Sequence, residues 1–415
     1  MTNGPKKSDL AKVAEKPTNK AGSKTAAESA EPRAGAEGNV SQQSTHRTQC
    51  RVRVSQALAR VRQVARTRKK ERFTALLHHI SIDLLRLSFY ALKRNAAPGV
   101  DGVRWKDYAA ALESNLQRLH ARVQRGAYRA LRSRRKYIPK PDGRQRPLGS
   151  AALEDKILQG AVVAVLNAIY EEDFLGFSYG FRPKRRQHDA LDALMVGIER
   201  RKVNWILDAD YRSFFDTVSH AWLLRFLEHR IGDERILRLI RKWLKAGVLE
   251  EGVVTESEAG TPQGGTGVAP AGKCLLNYVF DLWAQQWRQR QARGDMIVVR
   301  YADDSVVGFE YEAEARRFLA EMRKRSEAFS LSIHPEKTRI LRFGRFAASN
   351  RKEWGLGKPE TFNLLGFTII CGQKRTGGFQ LVRRTRRDRL QTTIQRVKGN
   401  YSGDGTSRSW NKGNG

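Results

Sequence analysis

The sequence predicts an α+β fold, and three observations predict it. Apolar residues recur at helical spacing in several long stretches, as in Val54, Leu58, Val61 and Ala65. Shorter apolar runs of strand length interrupt them, among them Val203–Leu207, Met296–Tyr301 and Ser305–Phe309. The two kinds of element do not alternate in the regular strand–helix–strand units of a parallel sheet. Two of the runs instead flank a tight turn, as an antiparallel pair does.

Residues 1–45 are rich in Ala, Gly, Ser, Thr, Lys and Glu and nearly lack large apolar side chains. Such a segment buries too little surface to offset its ordering entropy, so a disordered tail is expected. From Arg47 to Arg72, ten Arg or Lys accompany one Glu around the apolar spacing just named, which predicts a basic amphipathic helix. A helix is expected over 76–92, then a turn-rich loop over Asn95–Gly102, then a helix over 106–125. Asp142-Gly143, between the extended runs Tyr137–Lys140 and Arg146–Gly149, reads as a hairpin tip. Helices are expected over 151–172 and 186–201, followed by the strand that ends in Asp208-Ala209-Asp210. Further helices are expected over 220–246, 273–292 and 312–330, with the strand pair between the last two, and a strand within 362–371. Five arginines crowd 383–389, and from Asn400 onward Gly, Ser and Asn erase the pattern.

Lys and Arg number 77 against 43 Asp and Glu, a net charge of +34. A balance that basic calls for an acidic partner, of which nucleic acid is the commonest and an anionic membrane surface the rival. There is no run of about 18 apolar residues to span a bilayer, and no apolar signal-peptide core. Cys50, Cys274 and Cys371 lie too far apart for a disulfide framework or a zinc site. A soluble cytoplasmic protein without a membrane role is expected.

The chemistry points to carboxylates. Asp303 and Asp304 sit at the tip of the strand pair, where side chains project from the end of a sheet. Asp208 and Asp210 close a second apolar strand. If the two strand ends lie side by side, Asp210 and Asp303 can share Mg²⁺, which takes hard oxygen ligands and completes its shell from substrate phosphates. Two such ions clamp the attacking and leaving oxygens of a displacement at phosphorus. Read singly, each acid is equally a solvated turn residue, and Asp216 equally a favourable charge at a helix start.

Several blocks now resemble one family. Asp210-Tyr-Arg-Ser-Phe-Phe-Asp216 resembles the first catalytic motif of the reverse transcriptases encoded in bacterial group II introns. Tyr301-Ala-Asp-Asp304 resembles the catalytic hairpin of reverse transcriptases generally. In order along the chain, Ala97–Gly102, Ile138–Gly149, Phe177–Pro183, Gly260–Gly264, His334–Thr338 and Leu364–Phe367 are similar to the remaining motifs. The resemblance covers roughly residues 60–395. It implies a right-hand polymerase fold, with a basic N-terminal extension and fingers over 46–200 and a palm with a fingers insertion over 201–382. The reverse transcriptase domain would occupy 90–370, its palm a small antiparallel sheet with helices on one face. It implies an RNA-directed DNA polymerase that takes deoxynucleoside triphosphates and two Mg²⁺ ions, works on an RNA template with a DNA primer, and binds intron RNA in splicing. The setting would be the bacterial cytoplasm, associated with RNA or the nucleoid.

By position, the resemblance makes Asp210, Asp303 and Asp304 catalytic and metal-binding, with the Tyr211 carbonyl a further ligand. Lys140 and Arg146 would approach the incoming triphosphate, Gln263 the nucleotide or template, and Lys337 the pyrophosphate. Phe215 would lie under the sugar and disfavour a 2′-hydroxyl. Leu365, Gly366 and Phe367 would form the primer grip. Without the resemblance, Phe215 reads as core, and Lys140 and Arg146 as a solvated basic hairpin.

Two departures stand out. Where the family continues with a sequence close to Val-Ser-Pro-Leu-Leu-Ala-Asn-Val-Tyr-Leu, this chain has Gly267-Val-Ala-Pro-Ala-Gly-Lys-Cys-Leu-Leu276. One choice of codons for these ten residues, read one base along, gives the family sequence. A pair of compensating one-base shifts, near Gly265–Gly267 and near Leu276, would explain the segment, and the nucleotide sequence decides it. Gly272-Lys273 also mimics a phosphate-binding loop, but that loop needs Ser or Thr where Cys274 stands. The second departure is at 383–415, expected to hold only the start of a thumb, or maturase, region and a disordered tail. Both departures predict impaired polymerisation. The alternative is a non-catalytic, RNA-binding maturase remnant.

Overall fold

The computed structural model describes residues 40–139, 145–250, 253–255, 259–260 and 268–402. The described residues from Thr48 onward belong to one compact unit. Residues 1–39 of the expected disordered tail lie outside the described residues.

The basic helix forms as its pattern requires. α1 (Val40–Thr67) turns Val54, Val61 and Ala65 into the core, with Leu58 packed beside them. Arg51, Arg60, Arg62 and Arg66 stay on its exposed face. The stretch 76–92 is not one helix. Asp233 Oδ2 accepts the backbone N–H groups of Leu76 and Leu77 at 2.7 and 2.9 Å, holding a short 3-10 turn, Leu77–His79. Ser81 then caps α2 (Ile82–Ala91) by accepting the Leu84 N–H at 3.2 Å. The helix expected over 106–125 divides at Ala111 into α3 (Trp105–Ala110) and α4 (Leu112–Gln124). β1 (Ser133–Pro139) and β2 (Gln145–Ser150) make the expected hairpin, and α5 (Leu153–Tyr170) and α6 (Gln187–Arg200) follow.

β3 (Trp205–Ala209) leads to the short α7 (Phe214–Thr217). The single helix expected over 220–246 is two, α8 (His220–Glu228) and α9 (Glu234–Lys245). Asp233 stops the first from continuing into the second, because its side chain caps α9 at the Arg235 N–H, 3.0 Å away. Two strands too short to show in the sequence, β4 (Val248–Glu250) and β5 (Val253–Thr255), join the hairpin in a sheet of order β2-β1-β4-β5. The segment that departs from the family is helical. α10 (Val268–Leu276) passes through a π turn, Asn277–Asp281, into α11 (Leu282–Arg290).

β6 (Met296–Tyr301), β7 (Asp304–Phe309) and β8 (Arg339–Arg342) complete an antiparallel sheet of order β6-β7-β3-β8, with α12 (Glu312–Ala328) after β7. Alternate side chains serve two cores. Leu207, Val298, Val307 and Phe309 join Phe318 and Met322 of α12 in one. Ile206, Val299, Val306 and Leu341 join Leu191, Leu194 and Ile198 of α6 in the other. Helices were expected on one face only, but the second face is covered as well. Strands buried on both faces read as unbroken apolar runs, which is why 297–299 and 306–307 carry no period of two.

The second core is closed by a three-stranded sheet of order β11-β10-β9, after α13 (Ala347–Glu353). Its strands are β9 (Phe362–Leu364), β10 (Phe367–Gln373) and β11 (Phe379–Thr385), and Ile369 and Leu381 are buried in that core. The arginine cluster therefore begins inside a strand. α14 (Arg387–Ser402) runs on to Ser402, past the point where the sequence loses its pattern. Residues 403–415 lie outside the described residues. Among the described residues, no helix is long and apolar enough to cross a membrane.

Candidate functional site at the palm turn

The palm sheet gathers the acids that the sequence singled out. β3 and β7 pair antiparallel with Ala209 opposite Ser305, so the next residues along, Asp210 and Asp304, face each other across the sheet end. β6 and β7 pair up to Tyr301 opposite Asp304, which leaves Ala302-Asp303 as a two-residue turn. Ala302 takes φ 59°, a left-handed conformation that costs a residue other than glycine about 1–3 kcal/mol. Such a residue persists only where its surroundings hold it.

Those surroundings are a loop and a buried arginine. Arg300 gives its N–H to Phe177 O at 2.9 Å, and Tyr179 gives its own to Arg300 O at 2.8 Å, so residues 177–179 lie along β6. Gly180 then passes so close to the turn that a Cβ there would stand 2.1 Å from Ala302 N. The loop is fixed from behind. Arg182 donates to the carbonyls of Leu175 and Ser178 at 2.7 and 2.9 Å and pairs with Glu171 at 2.8 Å. Lys273 of α10 donates to Phe181 O at 2.7 Å and to Asn167 Oδ1 at 3.2 Å. The Gly272-Lys273 pair thus lies within a helix and faces Glu171, not in a loop cradling phosphate.

The guanidinium of Arg300 is wholly buried and faces Asp281, at the end of the π turn. Its Nε donates to Asp281 Oδ1 at 2.6 Å and its Nη2 to Asp281 Oδ2. Nη2 also donates to Ser178 Oγ at 2.6 Å, and Nη1 reaches Ala302 O at 2.7 Å. Arg300, Asp281 and Ser178 were not among the residues singled out. The one signal for them was a charged residue inside the apolar run Ile297–Tyr301.

Asp210 is clasped by the loop after α12. Its N–H donates to Thr338 Oγ1 at 3.3 Å, its carbonyl accepts the His334 N–H at 2.8 Å, and Lys337 Nζ stands 2.8 Å from its Oδ2. Asp304 opens to solvent at the sheet end, but the packed palm beneath displaces part of its water. That desolvation, with the charges of Asp303, Asp210 and Asp208 added, pushes its pKa up to about 7. Burial likewise pushes Asp208 up to about 6 against the pull of Arg339, 4.0 Å away.

An all-carboxylate cluster in which neighbouring charges add to the rise at Asp304 fits a hard divalent cation, which takes oxygen ligands and relieves their repulsion. Among the described residues, however, no three acidic, histidine or cysteine side chains already converge closely enough to hold a metal. The expected triad is brought to one sheet end, where Lys337 engages Asp210 Oδ2.

The other expected residues fall as follows. Tyr211 is buried, its backbone bridged to Ile333. Phe215 packs half-buried against the core, edge-on to Phe214 at 5.3 Å, as the core reading has it. Leu365 and Gly366, at φ 52° and 84°, form the two-residue turn between Leu364 and Phe367. Arg389 Nη1 donates to Leu365 O at 3.3 Å, and the Arg383 guanidinium stacks 5.4 Å from the Phe367 ring. Arg146 sits in β2 opposite Ile138. Lys140 and Gln263 lie outside the described residues.

Comparison with known proteins agrees with this geometry. Residues 138–369 match the family described as Reverse transcriptase (RNA-dependent DNA polymerase), over half of the chain. Protein YkfC of Escherichia coli is 33% identical over 276 residues, which are 59% of this chain and 72% of that protein. The group II intron-encoded protein LtrA of Lactococcus lactis is 27% identical over 290 residues, 67% of this chain and 48% of LtrA. An uncharacterised 91 kDa protein in the cob intron of Schizosaccharomyces pombe is 39% identical over 131 residues, 32% of this chain and 16% of that protein. The chain thus spans about half the length of LtrA. Members of this family generally use divalent metals and nucleic acid partners. With the palm sheet, the acidic turn and the family match in the same residues, the chain belongs to the reverse transcriptase family, in the branch of group II intron reverse transcriptases and maturases.

Proposed function

We propose that the chain is the RNA-directed DNA polymerase of a group II intron, extending a DNA primer on an RNA template from deoxynucleoside triphosphates. The observation that carries the reading is the pairing of Ala209 with Ser305, which sets Asp210 beside the Asp303-Asp304 turn at one end of the palm sheet. Asp210, Asp303 and Asp304 would hold Mg²⁺, with the Tyr211 carbonyl as a further ligand. When bound, such ions lower the charge barrier at phosphorus and favour the ionised primer hydroxyl.

The chain's own part is to bind and orient. The primer 3′-oxygen attacks the α-phosphorus, a new P–O bond forms, the α–β bond breaks, and pyrophosphate leaves. Lys337 would exchange its contact with Asp210 for the pyrophosphate charge. Lys140 and Arg146 would meet the triphosphate, and Gln263 the nucleotide or template. Phe215 would pack under the sugar. The turn Leu365–Phe367 would steady the primer. The arginines exposed on α1 suit an RNA backbone, and intron RNA is the partner proposed for them.

Primer extension on an RNA template with Mg²⁺ tests this. Asp303→Ala should lower the rate by at least about 10²–10³-fold, the scale of losing a group that stabilises transition-state charge. The second reading, an RNA-binding remnant, is favoured by the altered segment around Lys273. It predicts tight RNA binding that weakens steeply with salt, with no Asp303-dependent extension.

A further inference from the structure

We propose that Arg300 is a positioning residue: clamped by Asp281 and Ser178, it sets the catalytic turn by gripping the Ala302 carbonyl.

Burying a guanidinium is costly, and a buried ion pair is often matched or bettered in stability by apolar residues of similar volume. Stability alone therefore gives little reason for a buried charge next to the last residue of β6. Geometry gives a better one. The planar fork of arginine fixes the directions of all its donors. Asp281 takes two of them and Ser178 a third, so the remaining edge is aimed without freedom to swing, and it meets Ala302 O at 2.7 Å. That bond fixes the peptide plane between Ala302 and Asp303, and with it the direction in which the Asp303 side chain leaves the backbone. The turn needs such a hold, since Ala302 sits at φ 59°.

The clamp has its own support. Asp281 ends a π turn, Asn277–Asp281, that interrupts the helix between α10 and α11. One extra residue in a helix rotates everything after it by about 100°, and here the rotation brings Asp281 beneath β6. Arg325 of α12 donates to the carbonyls of Tyr278 and Val279 at 3.0 and 2.6 Å, satisfying the ladder that the π turn disturbs. Arg325, the π turn, Asp281, Arg300 and Ala302 thus form one line of contacts from α12 to the acids.

The link to catalysis rests on the proposed function, but the grip on the turn does not, and two readouts separate them. Arg300→Met alone leaves Asp281 buried without its partner and should lower the melting temperature. Arg300→Met combined with Asp281→Leu removes both charges and should recover it. In that double variant, amide hydrogen exchange in the peptide containing Tyr301–Ser305 should quicken by about tenfold or more, while β7 and β3 beyond it stay protected. Primer extension should lose kcat by about 30-fold or more with KM for the nucleotide little changed, as for an interaction made in the transition state. A double variant with recovered melting temperature and wild-type exchange in the turn overturns the proposal, whether or not the chain polymerises. Quickened exchange with wild-type kcat overturns the part of Arg300 in positioning for catalysis and leaves a grip on the turn alone. If the wild type extends no primer while the exchange result holds, the polymerase reading fails and the grip stands.

Discussion

Arg300 and Lys273 are both buried cations that hold a loop carbonyl near the palm turn, and they differ in fit. Arg300 places its donors on Asp281, Ser178 and Ala302, each at hydrogen-bonding distance. Lys273 stands 3.6 Å from Glu171 Oε1, which is buried without a hydrogen bond, and burial lowers the pKa of its ammonium. Close by, Arg230 Nε and Asp173 Oδ2 approach to 3.0 Å without hydrogen-bond alignment. One cation completes a network, and the other is accommodated in one. The well-fitted cation immediately precedes the family motif Tyr301–Asp304, and the poorly fitted one lies in the segment that departs from the family. A half-satisfied buried polar network is costlier than either a complete one or none, so the contrast can be measured.

The largest effect is expected at Arg300. Arg300→Met alone should destabilise the fold by about 3–5 kcal/mol, the usual result of stranding a buried carboxylate. Urea unfolding measures it. A loss under about 1 kcal/mol would mean that Asp281 finds water or another donor, and the two sites would no longer differ in kind.

Both the visible and the hidden parts of this site follow from physical causes. The strands β3, β6 and β7 were legible because burial on both faces makes them apolar throughout. The acids were legible because they end those runs. β8, Arg339-Ile-Leu-Arg342, was not, because an edge strand can keep charged residues at both ends. Arginines hid β11 for a similar reason, although Arg383 pairs with Asp192 at 2.9 Å as part of the strand's packing. The pair Arg300–Asp281 was illegible because it depends on a π turn, a change of one residue in helical phase that no periodicity in the sequence announces. The breaks near Ile80 and Gly232 share one hidden cause, a single Asp233 capping two elements distant in the chain.

A middling effect is expected from pH. Burial raises Asp173 to about 6 from an ordinary 3.8, with Arg230 pulling the other way. The folded state therefore binds a proton more readily than the unfolded chain between those two values. The sign follows: this group favours the fold increasingly as pH falls from about 6 toward 4, and that gain is absent above about 6. The size is about 1–2 kcal/mol after allowing for partial exposure. Asp173→Asn should remove it. Unfolding free energies of the two proteins at pH 7 and pH 4.5 check this, and identical pH slopes would show that Arg230 already satisfies Asp173 fully.

The smallest effect is expected at Lys273, although it is almost as buried as Arg300. Lys273→Met deletes the bonds to Phe181 O and Asn167 Oδ1, together worth about 1–2 kcal/mol. It also removes a buried ammonium whose desolvation opposes folding. Glu171 is not stranded by the change, since Arg182 remains 2.8 Å from its Oε2. The two terms nearly cancel, and the variant should unfold within about 1 kcal/mol of the parent. If Lys273→Met instead costs as much as Arg300→Met, then α10 is a well-fitted part of the fold, and the idea of a segment read in a shifted frame loses its structural support. If the variant is neutral while Arg300→Met is not, buried cations of similar exposure carry different weight because only one of them completes its partners.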